Sequence, residues 1–93
     1  MKTPVVLRND YIMYLELYDD LLWFHTDVRK WTTEVKHRYL SDLGKLINLV
    51  NMPLVAFIDN KKLAKFAKTI GFSEKETIMK DGQVTGYIYG LGY

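Results

Sequence analysis

Hydrophobic positions repeat along this chain with two different periods. Val5 to Leu7 is a short apolar run that reads as an edge strand, and Asn9-Asp10 supplies turn chemistry after it. From Tyr11 to Tyr18 the alternation is that of extended backbone. Tyr11, Met13, Leu15 and Leu17 share one face, and Ile12, Tyr14, Glu16 and Tyr18 share the other. Asp19-Asp20 predicts a two-residue hairpin, with Leu21 to Thr26 as the return strand. Both faces of these strands are largely apolar. A sheet covered on both sides has this pattern, and so does one with a covered side and a partner-binding side.

The period then becomes helical. Val35, Tyr39, Leu43, Leu46, Ile47 and Val50 form one stripe. Thr32 or Thr33 can cap this helix, and Glu34 suits the positive end of its dipole. Gly44 inside it costs about 1 kcal/mol against alanine, which a close approach to the sheet would offset. Asn51-Met52-Pro53 ends the helix, because a residue before proline avoids helical angles. Leu54 to Ile58 reads as a buried strand. Asn60 then caps a second helix whose Leu63, Phe66, Ala67 and Ile70 fall on one face, with Gly71 as its left-handed terminus. Extended backbone follows from Phe72, turns at Lys80-Asp81-Gly82 and returns from Gln83 to Tyr89. The glycine-rich end, Gly86 to Tyr93, reads as either a bulged last strand or a flexible tail. The expected order is strand-strand-strand-helix-strand-helix-strand-strand in one domain spanning residues 1–93. This is an α/β fold with a mixed, mostly antiparallel sheet and a helix on each face.

Ninety-three residues, 48% of them hydrophobic, suffice for one core. No apolar run is long enough to span a membrane, and Met1-Lys2-Thr3-Pro4 lacks the pattern of a secretion signal. These features predict a cytoplasmic protein without membrane association. With no cysteine, thiolate chemistry and disulfides are excluded. His25 and His37 are the only histidines, so a zinc site would need carboxylates, and none is expected. Charge is polarised. Residues 1–28 hold two basic against five acidic groups, net −3. Residues 29–68 hold nine against three, net +6, and the remainder is −1. Arg29, Lys30, Lys36, Arg38, Lys61, Lys62, Lys65 and Lys68 are the candidates for a basic face that meets a phosphate-bearing cofactor or an acidic protein. Nucleic acid is disfavoured, since no base-stacking aromatics interleave these cations. Strand edges near Val5 or Tyr87 suit pairing across a homodimer.

Asn60 opening a helix, Leu63, Phe66 and Ile70 within it, and Gly71-Phe72 closing it before the last strands together resemble the final helix of the GNAT acyl-CoA N-acyltransferase superfamily. Val28-Arg29-Lys30-Trp31-Thr32 and Met52-Pro53-Leu54 resemble short, phage-encoded members, which would place the protein in a host cytoplasm. The resemblance implies acetyl-CoA as cofactor and an amine as acceptor. It also implies that Val28, Arg29, Lys30, Thr32, Thr33 and Asn60 bind the cofactor. Its pyrophosphate would rest at the start of the long helix, where free N–H groups make an anion site. That loop holds no glycine here, and Trp31 is bulky where backbone must approach phosphate; Arg29, Lys30 and the threonine hydroxyls remain as side-chain donors. The family's tyrosine acid corresponds to Ala67, which cannot donate a proton. Among catalytic bases, His25 leads because histidine titrates near neutrality, and Glu16 is the second candidate. The alternative is a catalytically silent, phage-type binding protein that docks on a host protein or another acidic partner, its aromatic and arginine residues serving as anchors.

Overall fold

The computed structural model describes residues 1–92, and the elements come in the predicted order. Three strands, β1 (Thr3–Leu7), β2 (Tyr11–Tyr18) and β3 (Leu21–Val28), precede helix α1 (Thr33–Val50). Then follow β4 (Leu54–Ile58), α2 (Lys61–Thr69), β5 (Ser73–Lys80) and β6 (Gln83–Leu91). Asp19 and Asp20 both take positive φ, 54° and 60°, as a two-residue type I′ hairpin requires; Asp81 and Gly82 do the same at 53° and 76°. Thr32, not Thr33, caps α1, its Oγ1 accepting from the Val35 N–H at 3.2 Å. Asn60 caps α2, its Oδ1 accepting from the Leu63 N–H at 2.8 Å.

The six strands form one mixed sheet in the order β1-β2-β3-β4-β6-β5, with β3 and β4 parallel and the other neighbours antiparallel. The expected helix on each face is corrected by the packing, because both helices lie on one side. Tyr11 and Met13 of β2, Phe24 of β3, Leu54, Ala56 and Ile58 of β4 and Tyr89 of β6 share a face. They enter one core with Val35, Tyr39, Leu43 and Leu46 of α1 and with Ala67 and Ile70 next to it from α2. Tyr39 meets Phe66 edge-on at 5.8 Å, so the helices touch. Connectivity explains this. Both helices are crossovers between parallel strands, β3 to β4 and β4 to β5, and both progress across the sheet in the same direction. Right-handed crossovers of that kind must share a face. The opposite face, with Ile12, Tyr14, Glu16, Trp23, His25, Asp27 and Phe57, carries no helix.

Two further expectations are corrected. Gly44 is exposed, and a β-carbon there would meet nothing within 4 Å, so no close approach to the sheet exists. Tyr87 lies on β6, an interior strand, and the free sheet edges are β1 and β5. The glycine-rich end is strand as far as Leu91, while Tyr93 lies outside the described residues.

Candidate functional site

β3 and β4 pair only at Leu22↔Leu54 and Trp23↔Val55. Beyond Val55, β4 follows β6 as far as Ile58, while β3 follows β2 as far as Val28. With no pairing between them after Val55, the two strands part, and a cleft opens toward their carboxyl ends. Backbone groups of β4 that face β3 after Val55 are left without a ladder partner from that strand. The inner cavity, about 220 Å³, has His25 and Thr26 on one wall, Phe57 and Ile58 on the other, and Phe66 and Ala67 of α2 behind them. A larger cavity of about 610 Å³ shares Thr26, Leu63 and Phe66 with it. Val28, Arg29, Lys30, Trp31, Asn60 and Lys62 complete that second cavity.

Four of the six expected cofactor residues, Val28, Arg29, Lys30 and Asn60, therefore come together around one space. Thr32 and Thr33 do not join them. The Thr32 hydroxyl is committed to the helix cap, and Thr33 is the exposed first residue of α1. Trp31 packs edge-on against Tyr39 at 5.3 Å and Phe66 at 5.1 Å, making an aromatic wall between the two helices. Of the other basic residues, Lys62 reaches this cavity. Arg38 is tied to Asp10 at 2.9 Å, Lys36 is half-buried on α1, and Lys61, Lys65 and Lys68 are exposed on α2.

On the uncovered face, His25 stands opposite Tyr14 in the β2–β3 ladder, and its Nε2 lies 3.1 Å from Glu16 Oε1. Glu16 Oε2 accepts from the Met1 amino group at 3.1 Å. That hydrogen bond first, and the one with His25 second, hold the Glu16 carboxyl below its ordinary range. Tyr14 donates to Asp27 Oδ2 at 2.9 Å, and this bond leads in raising the Tyr14 phenol above its usual value. Lys2 Nζ sits 4.7 Å above the Tyr14 ring, and Lys2 also borders the inner cavity.

A buried polar cluster was not anticipated. Asp42, only 7% exposed, accepts two bonds from the Arg8 guanidinium, each 3.0 Å, and one from Tyr11 at 2.5 Å. The available signal was a carboxylate one helical turn from Tyr39, inside the apolar stripe. Arg8 first, against the opposing cost of burial, keeps Asp42 below its ordinary value of 3.8. Burial first and Asp42 second push Tyr11 up to about 12. This cluster anchors the β1–β2 corner to α1 and lies away from the cleft.

Among the described residues no group of three or more His, Asp or Glu side chains is placed to hold a metal ion. No helix there is long and apolar enough to cross a membrane. Comparisons with protein-family models, curated proteins and solved structures give no match to this chain. What the fold defines is an α/β protein with a six-stranded mixed sheet, helices on one side and a cleft where two parallel strands part.

Proposed function

We propose that this chain is a minimal, divergent GNAT-like N-acyltransferase that takes acetyl-CoA into the cleft between β3 and β4. One observation carries the reading: two cavities that share Thr26, Leu63 and Phe66 lie where these strands part, the inner one lined by His25 and the larger by Val28, Arg29, Lys30 and Asn60. Acyl transfer to an amine needs a base for the amine proton, donors for the carbonyl oxygen as it gains charge, and a cationic hold on the phosphates. An ionised Glu16 beside Nε2 favours the neutral His25 tautomer with the proton on Nε2, which leaves Nδ1 as the nitrogen with a free lone pair. The β4 backbone after Val55, which has no ladder partner on β3, could offer N–H groups of the kind that stabilise an oxyanion. Arg29, Lys30 and Lys62 supply the cations, and no metal is part of the scheme. The leaving thiolate would be protonated by solvent, because Ala67 stands where the family places its tyrosine.

Thermal melting with acetyl-CoA tests this. At a hundred times its dissociation constant a ligand adds about 2.7 kcal/mol of stability, a readily measured rise in melting temperature. No rise at millimolar acetyl-CoA overturns the cofactor assignment.

The second reading is a GNAT-like binding protein without catalysis, of phage type, docking an acidic host protein through Arg29, Lys30 and the α2 lysines. Ala67 favours it, as does Trp31 walling the phosphate loop. Binding of acetyl-CoA without release of free thiol in the presence of amines would decide for this reading.

A further inference from the structure

The uncovered face of the sheet beside the cleft carries a cation already in place. Lys2 Nζ is centred 4.7 Å from the Tyr14 ring and Lys2 borders the inner cavity, so an ammonium group lies at the cleft mouth on an aromatic face. Two carboxylates flank that ring, Glu16, which holds the Met1 amino group, and Asp27, which accepts from Tyr14. Glu16 and Asp27 stand on the same face, in rows four residues apart along the β2–β3 ladder, and each carboxylate bonds inward toward the row between them, Glu16 with His25 and Asp27 with Tyr14. Tyr14 and His25 form the cross-strand pair between those rows. Each carboxylate keeps acceptor capacity beyond the partners it has, and Asp27 is exposed. Half-buried Trp23 and Ile12 and the half-exposed ring of Phe57 add apolar surface next to them.

From this arrangement we infer that the Tyr14 face is the acceptor site, that its ligand is a small linear amine with ammonium groups at both ends, and that Lys2 occupies the site as an internal competitor. The inference rests on the acyltransferase reading and deepens it. One ammonium sits over Tyr14 with a carboxylate beside it, and the apolar spacer runs along the strands to the second carboxylate. The amine nearer the cleft then lies beside His25. A monoamine lacks the second contact, and an anionic or neutral acceptor gains nothing from Glu16 and Asp27. Lys2 is exposed and belongs to no strand, so a ligand displaces it without unfolding the sheet.

Isothermal titration with spermidine, with butylamine as the monoamine control and no acyl-CoA present, tests this. Spermidine is expected to bind the intact chain and butylamine much more weakly. Lys2→Ala should tighten spermidine binding about threefold, the scale of one exposed cation–ring contact released from competition. Tyr14→Phe keeps the ring and should keep binding, whereas Tyr14→Leu should lose most of it; circular dichroism confirms that both variants fold. Unchanged or weaker binding by Lys2→Ala, full binding by Tyr14→Leu, or no spermidine binding at all overturns the inference. A melting-temperature rise with acetyl-CoA in a chain that ignores spermidine leaves the acyltransferase reading standing and removes only this one. Spermidine binding without an acetyl-CoA response removes the acyltransferase reading and with it the acceptor role, and leaves a diamine-binding face only.

Discussion

The ring of Phe57 lies over Gly86, with Cε2 and Cζ each 2.5 Å from where a β-carbon at position 86 would stand. Phe57 is on β4 and Gly86 on β6, so the missing side chain on one strand is the space filled by the aromatic side chain of the next. The Ile58 carbonyl oxygen, 3.2 Å from the same point, closes the space from the backbone side. Gly86→Ala should push the ring off its seat and cost about 1 kcal/mol. The same change in a Phe57→Ala background should cost much less. Chemical denaturation of the four variants in this cycle checks it, and strict additivity would mean that the ring is not seated on the glycine.

Asp42 predicts how the fold responds to acid. Its folded-state pKa lies below 3.8, chiefly through Arg8, so its stabilisation is complete above that value. As pH falls through 3.8 the unfolded chain takes up the proton first, and the contribution is lost down to the folded value. Asp42→Ala should remove this part of the acid limb and lower stability at neutral pH by about 2 kcal/mol, since the Tyr11 hydroxyl is left buried without its acceptor. Urea titrations across the acid range measure both effects.

Gly44 offers the opposite sign. It is an exposed helical residue with open space where a methyl group would go. Gly44→Ala should stabilise the chain by about 0.5–1 kcal/mol by restricting the unfolded state and raising helix propensity. A melting temperature that falls would contradict the open environment.

Tyr39 is fully buried, and among the described residues its hydroxyl makes no hydrogen bond of ordinary geometry. Burial is the leading reason that its phenol is pushed far above the ordinary value of 10.0, although the Thr26 side chain is close enough to draw it back toward that value. Tyr39→Phe removes a buried hydroxyl that at best bonds poorly to Thr26 while keeping the ring contacts with Tyr11, Trp31 and Phe66, and should be neutral or stabilising by up to about 1 kcal/mol. Tyr11 and Tyr39 both hold their protons in the folded chain above pH 10, where the unfolded chain begins to lose them. Stability therefore falls as pH rises beyond 10, and tyrosinate absorbance should show Tyr11 and Tyr39 ionising at higher pH in the folded chain than in the unfolded one.

Element order was legible because it is written locally. Asp19-Asp20, Asn60 and Asp81-Gly82 each act within a few residues of themselves, and each sits in the turn or cap its chemistry suggests. Helix placement was not, because it depends on strand order. Nothing in β5 or β6 announces that β6 inserts beside β4 and sends both crossovers the same way. Apolar residues on both faces of β2 and β3 fit a sheet covered on both sides or on one, and the structure has helices on one side only. Val28, Arg29, Lys30 and Asn60 were drawn together by the family resemblance alone. The cleft that unites them arises where the β3–β4 ladder stops after two residue pairs, a tertiary event with no sequence mark. Lys2 and Asp42 were passed over for a similar reason, since each is defined by a partner on another element.

His25 and Glu16 separate catalysis from binding. If Nδ1 of His25 takes the amine proton, His25→Ala should lower kcat for thiol release about a hundredfold or more while leaving acetyl-CoA binding intact. The cations proposed to hold the phosphates, Arg29, Lys30 and Lys62, line the larger cavity, outside the His25–Glu16 pair. Added imidazole should restore part of the His25→Ala rate, which a merely structural histidine would not permit. Glu16→Gln keeps an oxygen at hydrogen-bond distance from Nε2 but removes the charge that favours a developing imidazolium, so its loss in kcat should be smaller than that of His25→Ala. Arg29→Ala should show the complementary pattern, weakening acetyl-CoA binding with less effect on kcat at saturation. A His25→Ala variant with unaltered kcat would remove histidine from the reaction and leave the cleft as a binding site.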